Sequence, residues 1–155
     1  MNSTVASRLL AFVTLLLVPL LSLAASSPGN TGRQAEPETM HIRITIGSSQ
    51  LMATLEDNAT AQAFAALLPL TLTLTDYHKT EKISDLPQTL TTAGAPKGMD
   101  PVVGDITYYA PWGNLAIFYR DFSYSGGLVK LGRVESGIEL LRQSGPLKAT
   151  IELVD

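Results

Sequence analysis

The sequence predicts a mainly β domain, a closed antiparallel β-barrel carrying two short helices. Three observations lead there. Runs of strict apolar and polar alternation recur, as in Ile42, Ile44 and Ile46 against His41, Arg43 and Thr45, which is the period of a strand with one buried face. About seven such runs are separated by turn residues, and only two stretches carry the spacing of a helix. Antiparallel strands in that number leave unpaired edges unless the sheet closes on itself, so closure is the expected solution.

The first residues are read separately. Arg8 and the amino terminus give a positive start, Leu9 to Leu21 is an apolar stretch broken by Pro19, and Ser22-Leu23-Ala24 puts small residues where a signal peptidase needs them. About thirteen apolar residues with an internal proline fall short of the roughly 20 that span a bilayer. Residues 1–24 are therefore expected to be a signal peptide removed after Ala24, leaving an exported protein, periplasmic or secreted, with no membrane attachment after cleavage. The chain contains no cysteine, which excludes disulfides and lipid attachment at a mature N-terminal cysteine, so the core alone must hold the fold. Residues 25–39 are rich in Ser, Pro, Gly and Thr without an apolar period and read as a flexible linker. Residues 40–155 are close to the commonest size of a single domain and are expected to build one core.

Within that domain the elements follow in order. The strand from Met40 turns at Gly47-Ser48-Ser49 into a second strand, Leu51 to Glu56, making a hairpin. Asp57 and Asn58 are N-cap candidates for a helix whose buried face is Ala63, Phe64, Leu67 and Leu68, with Pro69 ending it. Leu70, Leu72 and Leu74 then alternate with Thr71, Thr73 and Thr75. From Tyr77 to Asp105 the periodicity fails and Pro and Gly punctuate the chain, so a long loop is expected there. Ile106 to Tyr109 and Leu115 to Tyr119 read as strands joined by a turn over Ala110 to Asn114, and Leu128 to Val134 as a further strand after a second loop. Ser136 and Glu139 have capping-box spacing for a second short helix through Gln143, stopped by Gly145-Pro146. Leu147, Ala149, Ile151 and Leu153 alternate in a closing strand.

Charge and motif composition exclude several functions. The formal net charge of −3 includes Arg8, the leader's only charged side chain, so cleavage leaves about −4, and Lys and Arg are scattered singly among the acids. No face of this kind tracks phosphates, so nucleic acid is not an expected partner. A metal centre needs converging ligands, whereas His41 and His78 stand apart and no cysteine joins them; no metal and no cofactor is expected. No Gly-x-Ser-x-Gly nucleophile motif and no phosphate-loop glycine signature occurs.

The order hairpin, helix, strands, helix, last strand resembles the cyclophilin fold, a barrel plugged by two helices. The segment Leu128 to Ile138 is similar to the late strand, glycine, basic residue, valine and helix start of cyclophilins, and Thr60-Ala61-Gln62-Ala63-Phe64 to their first helix. Asp105 through Trp112-Gly113-Asn114 to Tyr119, with Leu68-Pro69-Leu70 and Asp76-Tyr77, more specifically resembles the bacterial cyclophilin-like domain family, a distant relative of cyclophilins. The resemblance covers Met40 to Asp155 and implies a groove on the barrel wall. Classical cyclophilins isomerise X-Pro bonds with an arginine of a Phe-His-Arg type motif and a histidine opening the late strand. This chain has no arginine between Tyr77 and Asp105, and Leu128 stands where that histidine would. An arginine donor helps an amide over its roughly 18–20 kcal/mol rotation barrier by weakening the C–N double bond. Without it the groove is expected to bind rather than to turn over, and no catalytic residue is assigned.

The binding expectation rests on rings. Seven of the ten Phe, Trp and Tyr residues lie between Tyr108 and Tyr124, dense enough that some must face outward while alternate ones enter the core. Trp112, in the turn, is the leading contact residue, joined by Tyr109, Tyr119, Phe118, Tyr77 and Glu81 as ligand-binding candidates. The expected function is an exported cyclophilin-like domain holding a small molecule or an extended peptide in an aromatic-lined groove. The alternative is a peptidyl-prolyl cis-trans isomerase acting on exported proteins.

Overall fold

A computed structural model describes residues 39–154 of the chain. The expected signal peptide, and all of the expected linker except Thr39, lie outside the described residues, as does Asp155. Ten strands occur among the described residues: β1 His41–Ile46, β2 Ser49–Leu55, β3 Leu70–Tyr77, β4 Glu81–Asp85, β5 Gly98–Met99, β6 Asp105–Tyr109, β7 Asn114–Phe118, β8 Ser125–Gly126, β9 Leu128–Ser136 and β10 Leu147–Val154. Eight of them close into an antiparallel barrel in the order β1-β10-β3-β4-β7-β6-β9-β2, while β5 and β8 pair as a separate two-stranded ribbon. Closure gives every barrel strand two neighbours and leaves no edge to template pairing with another chain.

The alternation seen in the sequence determines which rows face inward. Ile42 and Ile44 of β1, Leu51 and Ala53 of β2, Leu74 of β3 and Ala149 and Ile151 of β10 are fully buried, whereas the threonines interleaved on β3 are exposed. The first helix, α1, spans Ala59–Ala65; Asn58 caps it by accepting the Ala61 amide at 2.9 Å, one of the donors that a helix start leaves unpaired. It is a turn shorter than expected, with Leu67 and Leu68 beyond its end, and it inserts Ala61, Phe64 and Ala65 into the barrel core.

Two expectations need correction. The second helix is a single 3-10 segment, Ile138–Arg142, and the capping box does not form. β9 runs on to Ser136, and Gly137 takes the cap position in the left-handed region at φ 85°, where a Cβ would lie 2.9 Å from the Gln50 carbonyl oxygen. That close approach is open only to glycine, and Leu141 still reaches the core from this segment. The second correction concerns the stretch from Tyr77 to Asp105, which contains the barrel strand β4 and the ribbon strand β5. β4 escapes the alternation rule because its one fully buried inward residue is Lys82, whose ammonium donates to Asp76 Oδ2 at 2.6 Å, the Gln143 carbonyl at 2.8 Å and the Gly145 carbonyl at 3.1 Å. A charge placed among three acceptors is tolerated in a core where an unpaired one is not.

Candidate functional site

Cross-strand partners share a face, so the register fixes what the barrel turns outward along β4, β7, β6 and β9. Glu81 pairs with Phe118, Ile83 with Ala116 and Asp85 with Asn114 across β4 and β7. Asn114 pairs in turn with Tyr109 across β7 and β6, and Tyr109 with Leu128 across β6 and β9. Apart from Asp85, this outer row is shielded from solvent. Ala116, Phe118 and Leu128 form a second buried apolar cluster, with Ile83, Met99 and Tyr109 packed against it, separate from the barrel core. β7 is consequently buried on both faces over all five residues.

A groove of about 270 Å³ opens on this outer wall, floored by Ile83, Ala116, Phe118 and Leu128 and flanked by Tyr77, Tyr109, Trp112 and Phe122. The turn between β6 and β7 places Trp112 over it, 55% exposed. Gly127 permits that placement: at φ 85° its Cα lies so close to Pro111 that a Cβ would meet the proline Cδ at 2.7 Å. The Trp112 ring stands perpendicular to Tyr77 at 5.5 Å between centroids and at 78° to Tyr109 at 5.4 Å, so the three rings brace one another edge to face.

Two polar groups mark the ends of this wall. Asn114, 2% exposed, turns Oδ1 into a position with no hydrogen-bond partner among the described residues. Leaving such an acceptor unpaired costs about 1–3 kcal/mol. Glu81 lines the groove from β4, half-buried and engaged in none of the salt bridges among the described residues. Burial in these apolar surroundings, and secondarily the Asp76 carboxylate, push its carboxyl up from 4.5 to about 7. Phe118 is four residues from Asn114 on β7 and pairs with Glu81, which sets these two polar groups about 13 Å apart along the strand direction at 3.3 Å per residue.

Of the six candidates named from the sequence, Trp112, Tyr109, Tyr77, Glu81 and Phe118 line this groove. Tyr119 does not. It is 5% exposed, belongs to the core cluster and donates its hydroxyl to Asp76 Oδ1, with burial first and that contact second pushing its pKa up to about 12. Its parity on the chain explains this, because Phe118 facing outward turns the next residue inward. Asn114 was missed as a site residue; its alternation with Ala116 and Phe118 is the signal that identifies it. His78 also lines the groove, its ring 4.3 Å from Tyr77, and no Lys or Arg does. Among the described residues no three His, Cys, Asp or Glu side chains are gathered as a metal centre would require.

Comparison with known proteins places this geometry. A solution structure of a hypothetical protein from Archaeoglobus fulgidus is similar over 77% of this chain and 98% of its own, with a TM-score of 0.57 and 20% identity, a likeness of fold. No curated protein matches the chain. The sequence model of the cyclophilin-like family matches residues 44–152, from β1 through β10 and hence across the barrel and its groove, and the chain belongs to the cyclophilin-like family.

Proposed function

We propose that this chain is an exported binding domain that holds a small molecule or an extended peptide in the groove edged by Tyr77, Tyr109 and Trp112, without strong prolyl isomerase activity. The observation that carries the reading is the joint presence of a ring-lined cavity of about 270 Å³ and, in its lining, the polar residues Glu81 and Asn114. Apolar walls with a few placed polar groups are what ligand sites offer, and this volume suits a small ligand or one or two side chains of a peptide. Export rests on the leader pattern of residues 1–24. Weak isomerase activity follows from the side chains that line the wall: Leu128 stands where a cyclophilin histidine would, and no arginine among the described residues lines the groove.

Trp112 is the chain's single tryptophan, so its fluorescence reports on this groove directly. Screening metabolites and short peptides by tryptophan emission and thermal shift is expected to find ligands that raise the melting temperature, because a ligand bound only by the native state stabilises it. A protease-coupled assay on a proline peptide is expected to show no acceleration over the spontaneous rate. Clear turnover would replace this reading with that of an isomerase for exported proteins.

A further inference from the structure

We infer that the groove selects a ligand bearing an alkylammonium group, with the positive nitrogen at Glu81 beside Tyr77 and the alkyl chain over Ile83 and Ala116. This rests on the binding role proposed above and goes beyond it by naming the chemistry of the occupant.

Two features of the wall point the same way. Glu81 is the groove's only acidic side chain, and Lys and Arg are missing from its lining. A half-buried carboxylate with no salt-bridge partner among the described residues is completed by a cation brought from outside. The neighbouring cations are spent elsewhere: Lys82 points into the barrel, while Lys79 and Arg120 line a separate cleft with Tyr119 and Arg142. The second feature is the ring set, since aromatic faces attract ammonium ions, most strongly where water is excluded. Tyr77 is the cross-strand partner of Glu81 and packs against Trp112, which places one ring of the set beside the carboxylate. A carboxylate ligand would meet Glu81 as a like charge. A plain hydrocarbon would leave Glu81 without a partner.

The same chemistry is available from a free amine or from a lysine side chain of a polypeptide. The experiment uses the full chain at pH 8, where Glu81 is ionised, and follows the Trp112 indole N–H and the Asn114 side-chain amide by NMR during titration with n-pentylammonium, 1-pentanol and pentanoate. Pentylammonium is expected to bind at least tenfold more tightly than 1-pentanol, and pentanoate to leave both signals in place. Glu81→Gln is expected to bring the first two affinities within about threefold of each other. Nα-acetyl-lysine methylamide identifies the source: binding tighter than pentylammonium assigns the ammonium to a polypeptide lysine, weaker binding to a free amine, and either supports the inference. If 1-pentanol or pentanoate binds as well as the ammonium, the charge selection is wrong while the groove remains a binding site. If no probe moves Trp112 or Asn114 but an unrelated neutral ligand does, the inference fails alone; if nothing binds there, the binding reading fails with it.

Discussion

Lys82 and Glu81 are consecutive on β4 and face opposite sides of the barrel wall. On the inner side Lys82 is fully buried and completely engaged, with a carboxylate and two carbonyls around its ammonium. On the outer side Glu81 lies against Tyr77, Ile83 and Phe118 with no cation, and its carboxyl is held at about 7. Both are charges in poor solvent, yet one is closed by the protein and the other is left open. The closed charge serves the fold, since it ties β4 to β3 and to the segment after the 3-10 turn. The open one costs stability, and it is the group that the proposed alkylammonium would complete.

The largest effect that would break this comparison is on the inner side. Lys82→Met leaves the Gln143 and Gly145 carbonyls and the Asp76 carboxylate without their shared donor, and breaking a buried pair typically costs about 3–5 kcal/mol. Urea unfolding of the variant is expected to show a loss of that order. Asp76 is expected to move with it: the Lys82 hydrogen bond, followed by that of Tyr119, holds its carboxyl below 3.8. Its stabilisation is present above pH 3.8 and disappears as pH falls through the lower native value, and Lys82→Met should shrink that acid limb. A variant as stable as the parent would show that the inner charge is dispensable and that the two sides do not differ.

The outer side makes the opposite prediction in a separate pH window. Glu81 has a native pKa of about 7 against 4.5 unfolded, so between those values the native state binds more protons than the unfolded one. Stability therefore falls as pH rises. The penalty is absent below about pH 4.5, grows through the interval and is complete above 7. It should amount to about 2 kcal/mol, less than a full conversion of the shift because water still screens a half-buried side chain. Glu81→Gln is expected to flatten this slope and leave the acid limb owed to Asp76 in place. A slope unchanged in the variant would assign the titration to another group.

How much of this was legible beforehand depends on whether a strand has one wet face. β1, β3 and β10 alternate because one side meets solvent, and Ile42, Ile44, Leu72, Leu74, Ala149 and Ile151 stand out against polar neighbours. β7 reads as a continuous apolar run because both its faces are buried, so the sequence gives the parity but not which parity faces in. That is why Phe118 and Tyr119 looked equivalent and why Asn114 passed for a turn residue. β4 was hidden by the reverse effect, a lysine in the inward row where an apolar residue is expected. The groove's rings were legible from their density along the chain, whereas Tyr77 and Glu81, some thirty residues upstream of Trp112, are brought beside it only by the β4–β7 pairing.

The smallest expected effect on stability sharpens the comparison most. Trp112 is more than half exposed in a turn, and its edge contacts with Tyr77 and Tyr109 are worth about 0.5–1.5 kcal/mol each at most, less where water competes. Trp112→Ala should therefore change unfolding free energy by no more than about 1 kcal/mol. Ligand binding in the groove, followed by thermal shift, should nevertheless be lost, because the ring removed is the one that bridges its two sides. A residue that holds the fold together fails in the reverse order, as Lys82→Met is expected to. If Trp112→Ala instead unfolds the domain as readily as Lys82→Met does, the outer cluster is a second core, and the rings above it belong to the architecture of the barrel wall.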